Sequence, residues 1–202
     1  MQIFICGDST AASYDPETTD MVGWGQVLDR YLPGTAVVNL AMAGRSTKTF
    51  LEEDRLRPVR EQAAPGDLVL VQFAHNDENE KKPERYTAPW TDFTENLSFF
   101  VRFSRGLQAV PVLLTPICMR VWQDGSLQPT HGEYPAAMRS VAEALDVPLA
   151  DLYTESFRIV AGLGEAGSEA LFMPQDIAHT RRAGAEKFAA AAAKELKALG
   201  LV

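Results

Sequence analysis

Apolar residues gather along this chain in short, nearly unbroken runs at 2–6, 36–40, 68–73, 110–115 and 148–152. A strand covered by helices on both faces needs apolar side chains at successive positions, so these runs predict a parallel sheet buried on both sides. Between them the apolar positions recur at three- and four-residue steps, which predicts helices over 24–32, 49–62, 92–108, 135–145, 156–163 and 181–199. The last is the clearest. Phe188, Ala192, Leu196 and Leu199 share one face, while Lys187, Lys194 and Lys197 point elsewhere. Thr180 is a candidate cap for its start, and Gly200 follows its end where a left-handed residue is often needed. Strands alternating with helices predict an α/β protein with helices on both faces of a parallel sheet.

Two longer segments, 77–90 and 117–134, break the alternation, and each follows a strand. Loops in that position lie at the carboxyl edge of an open α/β sheet, where ligands bind, so both are expected to form substrate walls.

Size and charge narrow the reading. A chain of 202 residues suits one α/β domain spanning 1–202. A net charge of -8 argues against nucleic acid, because phosphate backbones are held by a basic face. The expected substrate is therefore neutral or held by a few local arginines. Cys6 and Cys118 sit in or beside apolar runs and are expected to be reduced core residues rather than a disulfide. The first residues carry no basic start followed by a long apolar stretch, and no run is long enough to span a bilayer. The expectation is a cytoplasmic protein with no membrane partner.

Candidate chemistry lies near both ends of the chain. Gly7-Asp8-Ser9-Thr10 follows the first apolar run, and Asp176-Ile177-Ala178-His179 precedes the last helix. A serine hydroxyl becomes a useful nucleophile when an imidazole takes its proton and a carboxylate orients that imidazole. The three-residue offset lets one turn bring the Asp176 carboxylate to the near ring nitrogen of His179, leaving the far nitrogen free for a hydroxyl. Gly44 after the second strand and Asn76 after the third can supply donors for an oxyanion, although plain turns account for each taken singly. Ser and Thr after a first strand also suit a phosphate cradle, as in a flavin-binding module. Asp8, His75, Asp77 and His179 are a conceivable oxygen and nitrogen ligand set, which would suggest a metal-dependent phosphodiesterase. Arg45, Arg120, Trp24 and Trp122 are candidates for sugar contact, since arginines pair with carboxylates and aromatic faces stack on sugar rings. His75 is a candidate for the pocket floor.

Taken in order, Gly7-Asp8-Ser9, Gly44, Asn76-Asp77 and Asp176-x-x-His179 resemble the four sequence blocks of the SGNH, or GDSL-type, hydrolases. The chain is most similar to the rhamnogalacturonan acetylesterase-like branch through Gly7 to Ala12, Gly23-Trp24-Gly25, Asn39-Leu40-Ala41, Gly44-Arg45-Ser46, His75-Asn76-Asp77, Thr115-Pro116 with Arg120, and the stretch from Asp124-Gly125 to Pro135. It departs at Ala74, where the third block usually has Gly, and at Ala178, where the branch commonly has Thr. The resemblance implies a three-layer, doubly wound five-stranded sheet of flavodoxin-like order. It implies Ser9 as nucleophile, His179 as general base and acid, Asp176 as its partner, and an oxyanion hole of Ser9, Gly44 and Asn76, with no metal or other cofactor. The implied activity is removal of acetyl groups from carbohydrate, such as acetylated pectic oligosaccharides, through an acetyl-enzyme on Ser9. A lipase or thioesterase of other acyl specificity stays open beside it, because the acyl pocket is not sized by sequence.

Overall fold

In the computed structural model, which describes residues 1–202, five parallel strands form the central sheet. They are β1 (Gln2–Gly7), β2 (Ala36–Asn39), β3 (Leu68–Gln72), β4 (Val110–Leu114) and, after a small β5–β6 hairpin (Trp122–Gln123 and Ser126–Leu127), β7 (Leu149–Ala150). Their spatial order is β2-β1-β3-β4-β7, the flavodoxin-like doubly wound arrangement. Alternation along β1 explains why both faces must be covered. Ile3 and Ile5 enter one core cluster with Leu68, Leu70, Val112 and Leu114, while Phe4 and Cys6 enter the other with Val69, Val71 and Leu113.

The first cluster is closed by a 3₁₀ segment, Trp24–Tyr31, and by the two C-terminal helices, α5 (Leu152–Glu169) and α6 (Arg182–Ala198), which bring in Trp24, Leu28, Val160, Phe188 and Leu196. On the opposite face α1 (Thr47–Glu52), α2 (Arg57–Gln62), α3 (Thr94–Gly106) and α4 (Tyr134–Ala144) contribute Phe50, Val59, Phe100 and Met138. Phe50, Phe73 and Phe100 form an aromatic cluster there, with ring centroids 5.3 to 5.9 Å apart. Cys6 and Cys118 are buried and unpaired. No helix is long and apolar enough to cross a membrane.

Several boundaries differ from the sequence reading, each for a local reason. The helix expected over 49–62 is two helices. Ser46 and Thr49 form a capping box that starts α1 earlier, and Asp54 at φ 50° ends its run before Pro58 opens α2. The segment 24–32 winds as 3₁₀ rather than α, and α3 is preceded by a π-type turn, Pro89–Phe93. The helix expected over 156–163 starts sooner, where the Asp151 side chain accepts from Thr154 N–H, and continues past a kink at Gly164 (φ 72°, ψ 174°). Thr180 does not cap α6. Its hydroxyl donates to the Val22 carbonyl instead, at 2.6 Å. Gly200 does take the left-handed conformation after the end of α6, with φ 70°.

That displaced threonine matters for the site. Phe172 and Thr180 form an antiparallel bridge, as do Met21 and Arg181, and Val22 N–H donates to the Thr180 carbonyl at 2.9 Å. The segment carrying His179 is thereby laid against residues that follow Ser9 in sequence. A turn 170 residues away is pinned to the first loop by backbone hydrogen bonds.

Candidate active site

Three loops reach the carboxyl edge of the sheet at its switch point: those after β1, β2 and β3, carrying Ser9, Gly44 and Asn76. With His179 they line one cleft of about 350 Å³, together with Tyr14, Met21, His75, Arg85 and Met119. His179 Nε2 lies 3.0 Å from Ser9 Oγ, and His179 Nδ1 lies 2.8 Å from Asp176 Oδ2. The other Asp176 oxygen accepts from the backbone N–H groups of Ala178 and His179, at 2.8 and 2.9 Å. Partial burial pushes the Asp176 carboxyl up. The two backbone donors and the imidazole outweigh it and hold the group below the usual carboxylate range. An ionised Asp176 at Nδ1 fixes the tautomer that leaves Nε2 bare toward the hydroxyl.

The Ser9 turn rests on a buried polar base. Asp8 Oδ1 accepts from both the N–H and the hydroxyl of Thr10, at 2.9 and 2.7 Å, and Asp8 Oδ2 meets His75 Nδ1 at 3.2 Å. Burial pushes the Asp8 carboxyl up, but the His75 charge and these hydrogen bonds bring it below its ordinary value. Burial lowers His75, and the Asp8 charge and hydrogen bond more than reverse that, holding the imidazole above its ordinary value. Tyr14, absent from the sequence reading, donates its hydroxyl to the Ser9 carbonyl at 2.8 Å. Burial, with the Asp8 charge, pushes that phenol up to about 12, so it stays a donor.

Gly44 has φ 80°, a conformation that excludes most side chains and turns the backbone at the cleft wall. Asn76 donates from Nδ2 to the Arg45 carbonyl at 2.9 Å, and its Oδ1 accepts from Arg85 at 2.9 Å. An amide nitrogen has two hydrogens, so one remains free after the bond to Arg45. Ala74, the residue that departs from the usual glycine, is held at φ 143°. A Cβ in that region stores strain on the order of 1–3 kcal/mol, beside the site rather than remote from it.

Asp77 joins the loops from below. Its Oδ1 accepts from the Thr47 N–H (2.9 Å), the Thr47 hydroxyl (2.6 Å) and the Thr87 hydroxyl (2.8 Å), whereas Oδ2 is buried with no partner. Burial pushes this carboxyl up from 3.8 to about 7 despite the three donors. The folded state therefore keeps a proton that the unfolded chain releases near pH 3.8, and it binds more protons across that window. Stability contributed by Asp77 falls as pH rises from about 4 to about 7. In thermal melts, the Tm of Asp77→Asn relative to wild type is expected to climb over that range, and a difference independent of pH would refute the assignment.

Four expected sugar contacts do not reach the cleft wall. Trp24 is fully buried, and its indole N–H donates to Gln72 Oε1 at 2.7 Å; it belongs to the core beneath the Ser9 turn. Trp122 packs against the core cluster of the α5–α6 face, with its ring nitrogen enclosed. The Arg45 side chain turns to Glu53 and to the Ala43 carbonyl. Arg120 holds the His179 loop: its backbone N–H donates to the Ile177 carbonyl at 2.6 Å, and its guanidinium ties to Ser168 and the Glu165 carbonyl in α5. His75 does line the cleft. The supposed metal ligands separate into Asp8 with His75, Asp77 with its threonines, and His179 with Asp176, and no group of three His, Cys, Asp or Glu is arranged to hold an ion. Of the two long loops, 77–90 contributes Arg85 and 117–134 contributes Met119 to the wall. Arg85 went unrecognised in sequence because nothing in 77–90 marks one cation above the neighbouring lysines.

A hydroxyl within reach of an oriented imidazole, at the switch point of a doubly wound sheet, is suited to attack on acyl carbonyls. The class so defined is the carboxylic ester hydrolases that work through serine. The chain belongs to the GDSL-like lipase/acylhydrolase family, whose model matches residues 5–187. Among curated relatives, it is 36% identical over 204 residues to the Bacillus subtilis (strain 168) protein named "Probable rhamnogalacturonan acetylesterase YesY", covering 98% of this chain and 94% of that one. It is 35% identical over 216 residues to the rhamnogalacturonan acetylesterase RhgT of the same strain, covering 100% and 91%. The crystal structure of protein YXIM from Bacillus subtilis superposes with a TM-score of 0.89 at 29% identity, covering 98% of this chain and 56% of that longer one. Axe2, an acetylxylan esterase from Geobacillus stearothermophilus, shares the fold with a TM-score of 0.73 at 16% identity, covering 96% and 93%.

Proposed function

We propose that this protein is a carbohydrate acetylesterase whose substrates are acetylated rhamnogalacturonan oligosaccharides, acting as one domain over residues 1–202. The observation that carries the chemistry is the hydrogen-bonded series from Ser9 Oγ through the His179 ring to Asp176. The substrate class is supported by the two full-length relatives named for rhamnogalacturonan deacetylation.

Ser9 Oγ attacks the acetyl carbonyl carbon as His179 Nε2 takes the hydroxyl proton. The carbonyl oxygen becomes an oxyanion, which the Ser9 and Gly44 N–H groups and the free Asn76 amide hydrogen receive. His179 returns its proton to the departing sugar oxygen, the C–O bond breaks, and an acetyl ester remains on Ser9. Water, deprotonated by His179, then attacks that ester and releases acetate, restoring the serine. Asp176 keeps the imidazole in place throughout and stabilises its charged form.

The cleft lies near the small end of the usual range for ligand sites. A cleft of that volume, with Tyr14, Met21 and Met119 in its wall, favours a short acyl group. The test pairs p-nitrophenyl acetate with the butyrate, and adds acetylated rhamnogalacturonan and acetylated xylan oligosaccharides. Expected are acetate over butyrate in kcat/KM and acetate release from the rhamnogalacturonan fragments above that from xylan. Preference for butyrate, or no release from either oligosaccharide, would overturn the substrate assignment.

A further inference from the structure

Arg85 is the one arginine or lysine among the residues that line the cleft. Its guanidinium takes part in none of the salt bridges. Its Nη1 donates to two oxygens, Asn76 Oδ1 at 2.9 Å and the Gly44 carbonyl at 3.2 Å, while Nε is enclosed without a partner. A charge left without a carboxylate beside a catalytic cleft costs solvation, and the acceptors chosen belong to the two loops that frame the oxyanion site.

We infer that Arg85 is a positioning residue of the oxyanion hole, fixing the orientation of the Asn76 amide and clasping it to the Gly44 turn. This rests on the reading of Asn76 as an oxyanion donor. An Asn side chain can swap its oxygen and nitrogen by rotating half a turn, and the swapped form would aim a lone pair at the oxyanion. Two neighbours forbid it. The Arg45 carbonyl accepts only from nitrogen, and the Arg85 guanidinium donates only to oxygen, so both select the orientation that leaves an N–H for the cleft. A charge-assisted bond at Oδ1 also draws electron density through the amide and strengthens the opposite N–H as a donor. Arg85 is itself held. Its N–H donates to the Lys82 carbonyl, and two residues on, Thr87 is fastened to Asp77 through both backbone and hydroxyl.

A residue acting through Asn76 must lose its effect when Asn76 is gone. The experiment compares wild type, Arg85→Ala, Arg85→Met, Asn76→Ala and Asn76→Ala/Arg85→Ala on p-nitrophenyl acetate and on acetylated rhamnogalacturonan oligosaccharides, with thermal melts to verify folding. Arg85→Met keeps the aliphatic stem in place if the alanine variant does not fold. Either Arg85 variant is expected to lower kcat about tenfold or more with KM changed less than about threefold, since one supporting contact is worth less than the about 10²-fold of a donor itself. In the Asn76→Ala background, loss of Arg85 is expected to cost less than about threefold. Full additivity, or unchanged kcat in both Arg85 variants while Asn76→Ala is slow, would overturn the inference and leave the oxyanion assignment intact. Unchanged kcat in Asn76→Ala would overturn both. A loss confined to KM on uronate-bearing oligosaccharides would also overturn it, making Arg85 a carboxylate-binding residue.

Discussion

Ser9→Ala is expected to reduce kcat on p-nitrophenyl acetate by roughly 10⁴- to 10⁶-fold, the cost of losing the nucleophile in serine hydrolases. Nothing else in the cleft replaces it. The neighbouring Thr10 hydroxyl is committed to Asp8 and Gln72, and Tyr14 is kept protonated by burial. The fold should be unaffected, because the Ser9 hydroxyl bonds only to His179 and the turn is held by Asp8, Thr10 and the Tyr14 bond to the Ser9 carbonyl. Steady-state rates, together with a search for acetylated protein after rapid quenching, check this. A variant that melts like wild type yet keeps more than about 1% of kcat would remove Ser9 from the mechanism.

The second large effect belongs to Asp176. Asp176→Asn is expected to lower kcat on the order of 10³-fold, below the about 10⁴-fold seen when a deeply buried triad carboxylate is neutralised. The reason for the smaller loss is exposure: 32% of the Asp176 side chain is open to solvent, which screens its charge on the imidazole. The Asn oxygen can take over the turn by accepting from Ala178 and His179, so the loop should keep its shape. Its amide nitrogen then faces Nδ1 as a donor and favours the tautomer with the proton on Nε2, which cannot accept from Ser9. Wild-type kcat in a correctly folded Asp176→Asn protein would show that His179 needs no carboxylate partner.

The layers of the protein were largely legible in its pattern of apolar positions. Buried parallel strands announce themselves because both faces demand apolar side chains, and all five appeared near their expected places. Helix limits were less legible. A capping box at Ser46, a positive φ at Asp54 and the early start of α5 at Asp151 depend on single side-chain contacts that periodicity does not register. The same limit applied to ligand contacts. An exposed tryptophan and a core tryptophan look alike in sequence, and Trp24 is committed to Gln72 by a partner 48 residues away. Arg120 was expected at the ligand and instead braces the His179 loop against α5.

By itself the sequence determined the order of strands and helices along the chain, an acidic surface and the residue types for serine chemistry with their local spacing. The offset between Asp176 and His179 is such a local matter, since one turn suffices to join them. Only the tertiary structure decided that His179 meets Ser9, because that contact depends on backbone bridges from Met21 and Val22 to the segment around Thr180. It alone placed Arg85 on Asn76 and Gly44, and left one Asp77 oxygen without a partner. Long-range hydrogen bonds and burial are properties of how segments converge, and no short stretch of residues encodes them separately.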